Sequence, residues 1–127
     1  MTSHAKRLWG WGIVLAIAVV ALGWMVASPR KPGPLDAFAQ CLKAKGATFY
    51  GAFWCPHCQR EKGLFGSSAA LLPYVECATA DAQGQTQVCI DKKITGYPTW
   101  EFADGSRETG ETSLTKLAEK TGCGLPQ

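Results

Sequence analysis

Phe53-Trp54-Cys55-Pro56-His57-Cys58 is the stretch that decides how this chain folds. Two cysteines separated by two residues can hold two thiols or close a disulfide, and the interchange moves two electrons. Pro56 suits the first turn of a helix, where its missing N–H costs nothing. Because a helix N-terminus favours negative charge, we expect this start and a cationic His57 to lower the pKa of an exposed Cys55. Cys58 would then lie one turn into the helix, placed to attack a mixed disulfide at Cys55.

Other uses of this cysteine pair are less compatible with the sequence. A zinc site would need a second pair of ligands, and the chain has no other C-x-x-C motif. A c-type haem would need a histidine directly after Cys58, where Gln59 stands. A structural disulfide stays open, although a bridge across two residues restrains the unfolded chain very little. We therefore expect no metal and no organic cofactor.

The composition narrows both the class of protein and its compartment. A chain of 127 residues has room for one small domain and an appendage. Four of the thirteen Lys and Arg residues precede residue 35, and the other nine are nearly balanced by ten Asp and Glu. The predicted domain thus lacks the clustered positive charge that nucleic-acid binding requires. Six cysteines in so short a chain favour an oxidising compartment, where disulfides persist.

The N-terminal part of the chain predicts a membrane anchor. Residues 8–27 carry no charge and match the thickness of a bilayer core. A cleaved secretory signal is the alternative, because Ala21-Leu22-Gly23 resembles a cleavage site. Either interpretation places the rest of the chain outside the cytoplasm, on the periplasmic side of the inner membrane or secreted.

Residues 28–34 contain three prolines and are predicted to form a linker. The predicted domains are therefore 1–34, with the tail, the anchor and the linker, and 35–127. Within the second domain the pattern alternates between helices and strands. We predict helices over 35–45, 56–65 and 86–94 and from about residue 113, with strands over 47–53, 74–77, 100–102 and 106–109. Asp104-Gly105 is a hairpin signal between the last two strands.

This order of elements resembles the thioredoxin fold over about residues 35–125. The resemblance rests on Trp54-Cys55 after an apolar strand and on Tyr97-Pro98-Thr99 just before the hairpin. It implies an α/β fold with a central mixed sheet of about four strands flanked by helices. It also implies a cis-proline at Pro98, packed against the active-site disulfide and supporting the substrate chain.

Residues 46–58 resemble more closely the thioredoxin-like domain attached to bacterial and plant homologues of vitamin K epoxide reductase. The likeness continues through Tyr74-Val75-Glu76-Cys77 and Gly96-Tyr97-Pro98-Thr99-Trp100. It implies a membrane quinone-linked disulfide oxidase of that type as a partner, and a Cys77–Cys89 bridge. Cys41 and Cys123 then remain, either as a second bridge or as free buried thiols.

One position departs from ordinary thioredoxins. They place a buried Asp in the strand before the cysteines, where it helps to move the proton of the resolving thiol, and Phe49 stands at that position here. We expect Cys58 to lose its proton to solvent, to His57 or to Glu61 instead.

The sequence therefore predicts a membrane-anchored, extracytoplasmic thiol–disulfide oxidoreductase that acts on cysteine-containing substrate proteins. Cys55 and Cys58 carry the exchange, with Trp54 and Tyr97 as an apolar docking surface. The alternative is a non-catalytic binding or adaptor module in which Cys55–Cys58 is a static disulfide; its reduction potential would lie far below the glutathione range.

Overall fold

A computed structural model describes the backbone of residues 3–26 and 30–126, and the side chains of residues 11–21, 23 and 30–126. The chain divides into two compact units, Met1–Lys31 and Pro32–Gln127. The first contains helix α1 (Ser3–Val26). The membrane span predicted over 8–27 lies partly outside the described residues. Within the described ones, no helix is both long and apolar enough to cross a membrane.

The second unit is a four-stranded mixed sheet with helices around it, as predicted. Its strand order is β2-β1-β3-β4, with β1 parallel to β2 and antiparallel to β3, and β3 antiparallel to β4. The elements are α2 (Asp36–Ala44), β1 (Thr48–Gly51), α3 (Pro56–Phe65), a 3-10 helix (Gly66–Leu71), β2 (Tyr74–Glu76), α4 (Gln87–Asp91), β3 (Thr99–Glu101), β4 (Arg107–Thr109) and α5 (Leu114–Thr121).

Helix α3 begins and ends where the sequence predicts. Pro56 occupies its first position, and Gly66 ends it with a φ of 53°, a left-handed conformation that favours glycine. Its inward face carries Cys58, Glu61 and Phe65, a spacing of three and four residues that keeps them on one side of a helix. The second cysteine therefore points into the domain.

The core that supports α3 is aromatic. Phe49 of β1 stacks on Trp100 of β3, with 4.8 Å between the ring centroids. Phe65 at the end of α3 stacks on Phe38 of α2 at 5.9 Å. β1 is hydrogen-bonded to a strand on each side and packs against these aromatic rings. The start of the turn that follows β1 is therefore held in place.

Two predicted elements are shorter in the structure. The strand predicted over 47–53 ends at Gly51, because the chain turns at Ala52, whose carbonyl accepts from the Cys55 N–H at 3.0 Å; Phe53 is 48% exposed. The helix predicted over 86–94 ends at Asp91. Lys93 has a φ of 53°, and the Ile94 N–H bonds back to the Cys89 carbonyl, which closes that helix.

Candidate active site

The two cysteines of the motif lie at the junction of β1 and α3. Cys55 is the N-cap of α3 and Cys58 lies in its first turn. Both are free thiols, and Cys55 is near enough to contribute to raising the pKa of Cys58. The Cys55 thiol also faces the Tyr97 carbonyl, with 3.8 Å between Sγ and O. Two free thiols three residues apart at a helix start are spaced to close a disulfide.

The expected exposure of Cys55 is wrong. Only 5% of this residue is exposed, and only 1% of Cys58. The reason is that the turn after β1 folds back over the core, so that both cysteines belong to the main hydrophobic cluster and Tyr97 packs against it. Cys55 is therefore the more accessible of the two cysteines, although nearly all of its surface is covered.

Aromatic side chains form a rim around Cys55. Trp54 is 51% exposed, and its ring meets that of Tyr97 edge to face, with centroids 6.1 Å apart. The half-exposed Phe53 precedes Trp54 in the same turn. The Tyr97–Pro98 peptide bond is cis, as the resemblance implies, and Pro98 is fully buried. Trp54, Cys55, Tyr97 and Pro98 are thus brought together, while their roles remain predictions.

The side chain of His57 contacts Glu111 and Arg60, and its predicted effect on Cys55 stays a prediction. Its Nδ1 lies 2.6 Å from Glu111 Oε1 and 2.6 Å from a guanidinium nitrogen of Arg60. Arg60 and then His57 hold the pKa of Glu111 below its usual range. One ring nitrogen cannot donate to Glu111 and accept from Arg60 at once, so the tautomer decides which of the two hydrogen bonds it makes. His57 thus ties α3 to the segment before α5.

The electrostatics around Cys58 oppose one another. Burial raises the pKa of this thiol to about 12, and the neighbouring Cys55 acts in the same direction. A hydrogen bond with the Ala52 backbone and the positive charge of Lys62 lower it. The ionisation of Cys58 therefore depends on the balance between its burial and the polar and charged groups next to it.

Lys62 belongs to a chain of contacts that reaches β2. Its Nζ lies 3.2 Å from the centroid of the Tyr74 ring. The Tyr74 hydroxyl donates to Glu76 Oε2 at 2.7 Å, and Glu76 Oε1 accepts from the backbone N–H groups of Ala78 at 2.8 Å and Phe53 at 3.2 Å. This chain fastens the turn before Cys55 to the neighbouring strand. The sequence did not reveal these contacts, although the four-residue spacing from Cys58 to Lys62 indicates that both lie on one side of α3.

Glu61 is the second residue whose setting the sequence did not indicate. It is fully buried, and the Trp100 indole N–H donates to its Oε1 at 2.6 Å. Burial raises the pKa of Glu61 to about 7, against hydrogen bonds from Trp100 and from the Thr112 backbone. Phe49, in the position where thioredoxins carry their acid, stacks on that same Trp100. A carboxyl group is thus present beneath the site, but it comes from α3.

The other four cysteines form the two disulfides that were proposed. Cys77–Cys89 links the end of β2 to α4, with Cα atoms 5.5 Å apart. Cys41–Cys123 links α2 to the residue pair that follows α5, with Cα atoms 5.9 Å apart. Among the residues that the structure describes, no cluster of three or more His, Cys, Asp or Glu could hold a metal ion.

Comparison with known proteins agrees with this geometry. The family model for thioredoxin matches residues 37–121. The chain is 44% identical over 95 residues to Thiol-disulfide oxidoreductase LTO1 of Arabidopsis thaliana, an alignment that covers 72% of this chain and 25% of that protein. It is 30% identical over 105 residues to the Thioredoxin domain-containing protein 5 homolog of Drosophila melanogaster, covering 71% and 24%. The chain therefore spans about a quarter of either relative.

Proposed function

Because the chain belongs to the thioredoxin family, we propose that it is a thiol–disulfide oxidoreductase acting on protein cysteines through Cys55 and Cys58. One observation carries the proposal: these two cysteines are free thiols at the start of α3, whereas the other four are bonded in pairs. The name of the Arabidopsis relative supports the same activity.

The exchange proceeds in two steps. The Cys55 thiolate attacks one sulfur of a substrate disulfide, and a mixed disulfide forms while the other substrate sulfur leaves as a thiolate. Cys58 then attacks the sulfur of Cys55. The Cys55–Cys58 bond forms, the second substrate sulfur leaves with its electron pair, and the substrate has gained two electrons. The reverse sequence oxidises a substrate dithiol.

The aromatic rim supplies the docking surface in this proposal. Phe53 and Trp54 are half-exposed beside Cys55, and Tyr97 presents its carbonyl to the same sulfur. An extended substrate segment placed along Tyr97-Pro98 would bring its cysteine to the exposed edge of Cys55. Apolar side chains next to that cysteine would bury against the Trp54 ring.

Replacing each cysteine tests the chemistry. We expect Cys55→Ser to lose exchange with a disulfide-containing peptide, and Cys58→Ala to accumulate a mixed disulfide that mass spectrometry detects. Cys55→Ser that exchanges at the parental rate would rule the mechanism out. A reduction potential between about −270 and −120 mV supports catalysis, and one below about −300 mV supports the static-disulfide adaptor instead.

We also propose that the domain works outside the cytoplasm, tethered by residues 8–27. The two disulfides support an oxidising compartment, and the uncharged sequence of 8–27 supports the tether. Membrane fractionation with alkaline extraction, followed by protease treatment of intact cells, tests both parts. Recovery of the full chain in the cytosol would contradict them.

A membrane quinone-linked oxidase of the vitamin K epoxide reductase type is the proposed partner. The resemblance of residues 46–58 supports it. The Cys58→Ala variant should trap this oxidase as a mixed disulfide in membranes, which non-reducing electrophoresis and mass spectrometry would identify. Capture of soluble substrate proteins alone would argue against this partner while leaving the exchange activity in place.

A further inference from the structure

The strands beneath Cys58 offer it no charged side chain of the kind found in ordinary thioredoxins. Phe49 of β1 packs its ring edge to face on Tyr74 of β2, with 5.5 Å between the centroids. Phe49 and Tyr74 are register partners across β1 and β2, so both residues at this point of the sheet are aromatic. A buried thiol that has to ionise during catalysis needs a compensating positive charge from another element.

The packing around Gly51 shows which element supplies this positive charge. A Cβ at this glycine would lie 2.9 Å from Tyr74 Cε2 and 3.0 Å from Cys58 Sγ. The edge of the Tyr74 ring and the sulfur of Cys58 thus border the same small gap. Lys62, one turn after Cys58 on α3, places its ammonium 3.2 Å from the centroid of that ring. The Tyr74 ring therefore has the Lys62 ammonium over its face and the Cys58 sulfur near its edge.

We propose that Lys62 is a positioning residue for the resolving step: its ammonium, held on the Tyr74 ring, stabilises the thiolate of Cys58. The inference rests on the proposed exchange function. In that step Cys58 gives its proton to solvent and its thiolate attacks the Cys55 sulfur. The Cys55–Cys58 bond forms, and the electron pair of the broken bond leaves with the substrate sulfur.

The other charged groups around Lys62 keep its ammonium in place. Glu76 of β2 accepts a hydrogen bond from Tyr74 and draws the ammonium toward the ring. Burial lowers the pKa of Lys62, while the carboxylate of Glu76 and the sulfur of Cys58 oppose that decrease. Cys55, at the N-cap, raises the pKa of Cys58 when both are thiols and so works against Lys62; in the mixed disulfide Cys55 carries no charge.

The test measures the resolving step directly. Cys55 is converted to its mixed disulfide with thionitrobenzoate, and release of the coloured thiolate by Cys58 is followed by stopped flow across a pH series. We expect Lys62→Met to slow release about tenfold at neutral pH and to move the pH profile upward by about one unit, since one adjacent opposite charge has an effect of that size. Lys62→Arg should retain most of the parental rate.

Lys120→Met is the matched control, because Lys120 of α5 also lies over a ring, that of Phe102, at 5.6 Å. Lys120→Met removes one positive charge at a site away from the cysteines, so the rate of thionitrobenzoate release should stay unchanged. A parental pH profile in Lys62→Met, or an equal loss in Lys62→Arg, would overturn the inference.

A second measurement separates this inference from the proposed function. In a Cys55→Ser background, the ultraviolet absorbance of the thiolate reports the titration of Cys58 without any turnover. Addition of Lys62→Met should raise the titration midpoint; an unchanged midpoint would refute the inference. If the parental mixed disulfide releases no thionitrobenzoate, the exchange function fails, and this titration still decides the role of Lys62.

Discussion

The Cys55/Cys58 turn and the Cys77–Cys89 segment each place one cysteine after a strand and a second in the helix that follows, yet one pair is free and the other is bonded. The free pair belongs to the main hydrophobic cluster, where Phe49, Phe65 and Trp100 hold the helix without covalent help. The bonded pair belongs to a small hydrophobic cluster, in which the other buried residues are Tyr50 and Ile94.

This difference shows what each sulfur contributes to the molecule. Between Cys77 and Cys89 the chain is mostly exposed and polar, so the disulfide takes the place of a core that the segment lacks. At the other pair the core is complete without a covalent bond. In the proposed exchange, a bond that opens and closes there would be one that the fold does not require.

The largest expected effect comes from the bond outside this comparison, Cys41–Cys123. Replacing both cysteines with Ser should lower the free energy of unfolding by about 4 kcal/mol, because the bond closes a loop with a sequence separation of 82. Urea unfolding of the oxidised proteins measures it. A loss below about 1 kcal/mol would show that the unfolded chain gains little freedom from this change.

Opening Cys77–Cys89 should cost less. The sequence separation is 12, which corresponds to about 3 kcal/mol on the chain-entropy estimate. The matched control is the double variant Cys55→Ala, Cys58→Ala, compared with the reduced parent, which should change the free energy of unfolding by only about 1 kcal/mol. If the two double variants lose the same stability, the contrast between the two regions does not hold.

Glu61 offers a further test of this comparison, because it is buried in the core beneath Cys55 and Cys58. Burial raises the pKa of Glu61 from 4.5 to about 7, so the folded chain binds this proton more tightly than the unfolded chain. Its stabilising effect is complete below pH 4.5 and is lost as the pH rises toward 7. This loss amounts to about 3 kcal/mol.

Glu61→Gln should therefore flatten the dependence of unfolding free energy on pH across that window. Chemical denaturation on either side of the window measures it. Glu119→Gln, an exposed change of the same charge on α5, serves as the control and should leave the slope in place. A slope that survives in Glu61→Gln would mean that another group binds the proton.

The smallest expected effect concerns Gly51. A methyl group there would meet Tyr74 Cε2 at 2.9 Å and Cys58 Sγ at 3.0 Å, so Gly51→Ala should destabilise the domain by about 1–3 kcal/mol and displace the sulfur. Gly63→Ala, on the open side of α3, meets no atom within 4 Å and should be neutral or stabilising by up to about 1 kcal/mol. Thermal unfolding compares the two, and equal behaviour would contradict the close packing at Gly51.

Local signals in the sequence were sufficient for much of the fold. Pro56 and Gly66 bound α3 because each favours one backbone conformation. Asp104-Gly105 forms the predicted turn, since Gly105 adopts a φ of 81° and the Asp104 side chain accepts from the Ser106 N–H at 2.9 Å. These features depend on neighbouring residues alone.

The candidate site was only partly predictable, for the opposite reason. The burial of Cys55 depends on how the turn packs beside Tyr97, and that of Glu61 depends on Trp100, 39 residues away along the chain. A charged residue in a short helix is ordinarily placed on the solvent side, and no periodicity reveals a hydrogen-bonding indole on another strand. Chemistry that arises from contacts between distant elements requires the structure.

The Cys41–Cys123 bond has a consequence for the lifetime of the molecule. It turns nearly the whole domain into a covalent ring, and the exposed stretch around residues 79–85 lies inside that ring. A protease that cuts this stretch produces two pieces that stay joined, with the strands still paired around the cut. Nicked copies would thus run as intact protein until a reductant is added, and would go on presenting their thiols in the meantime.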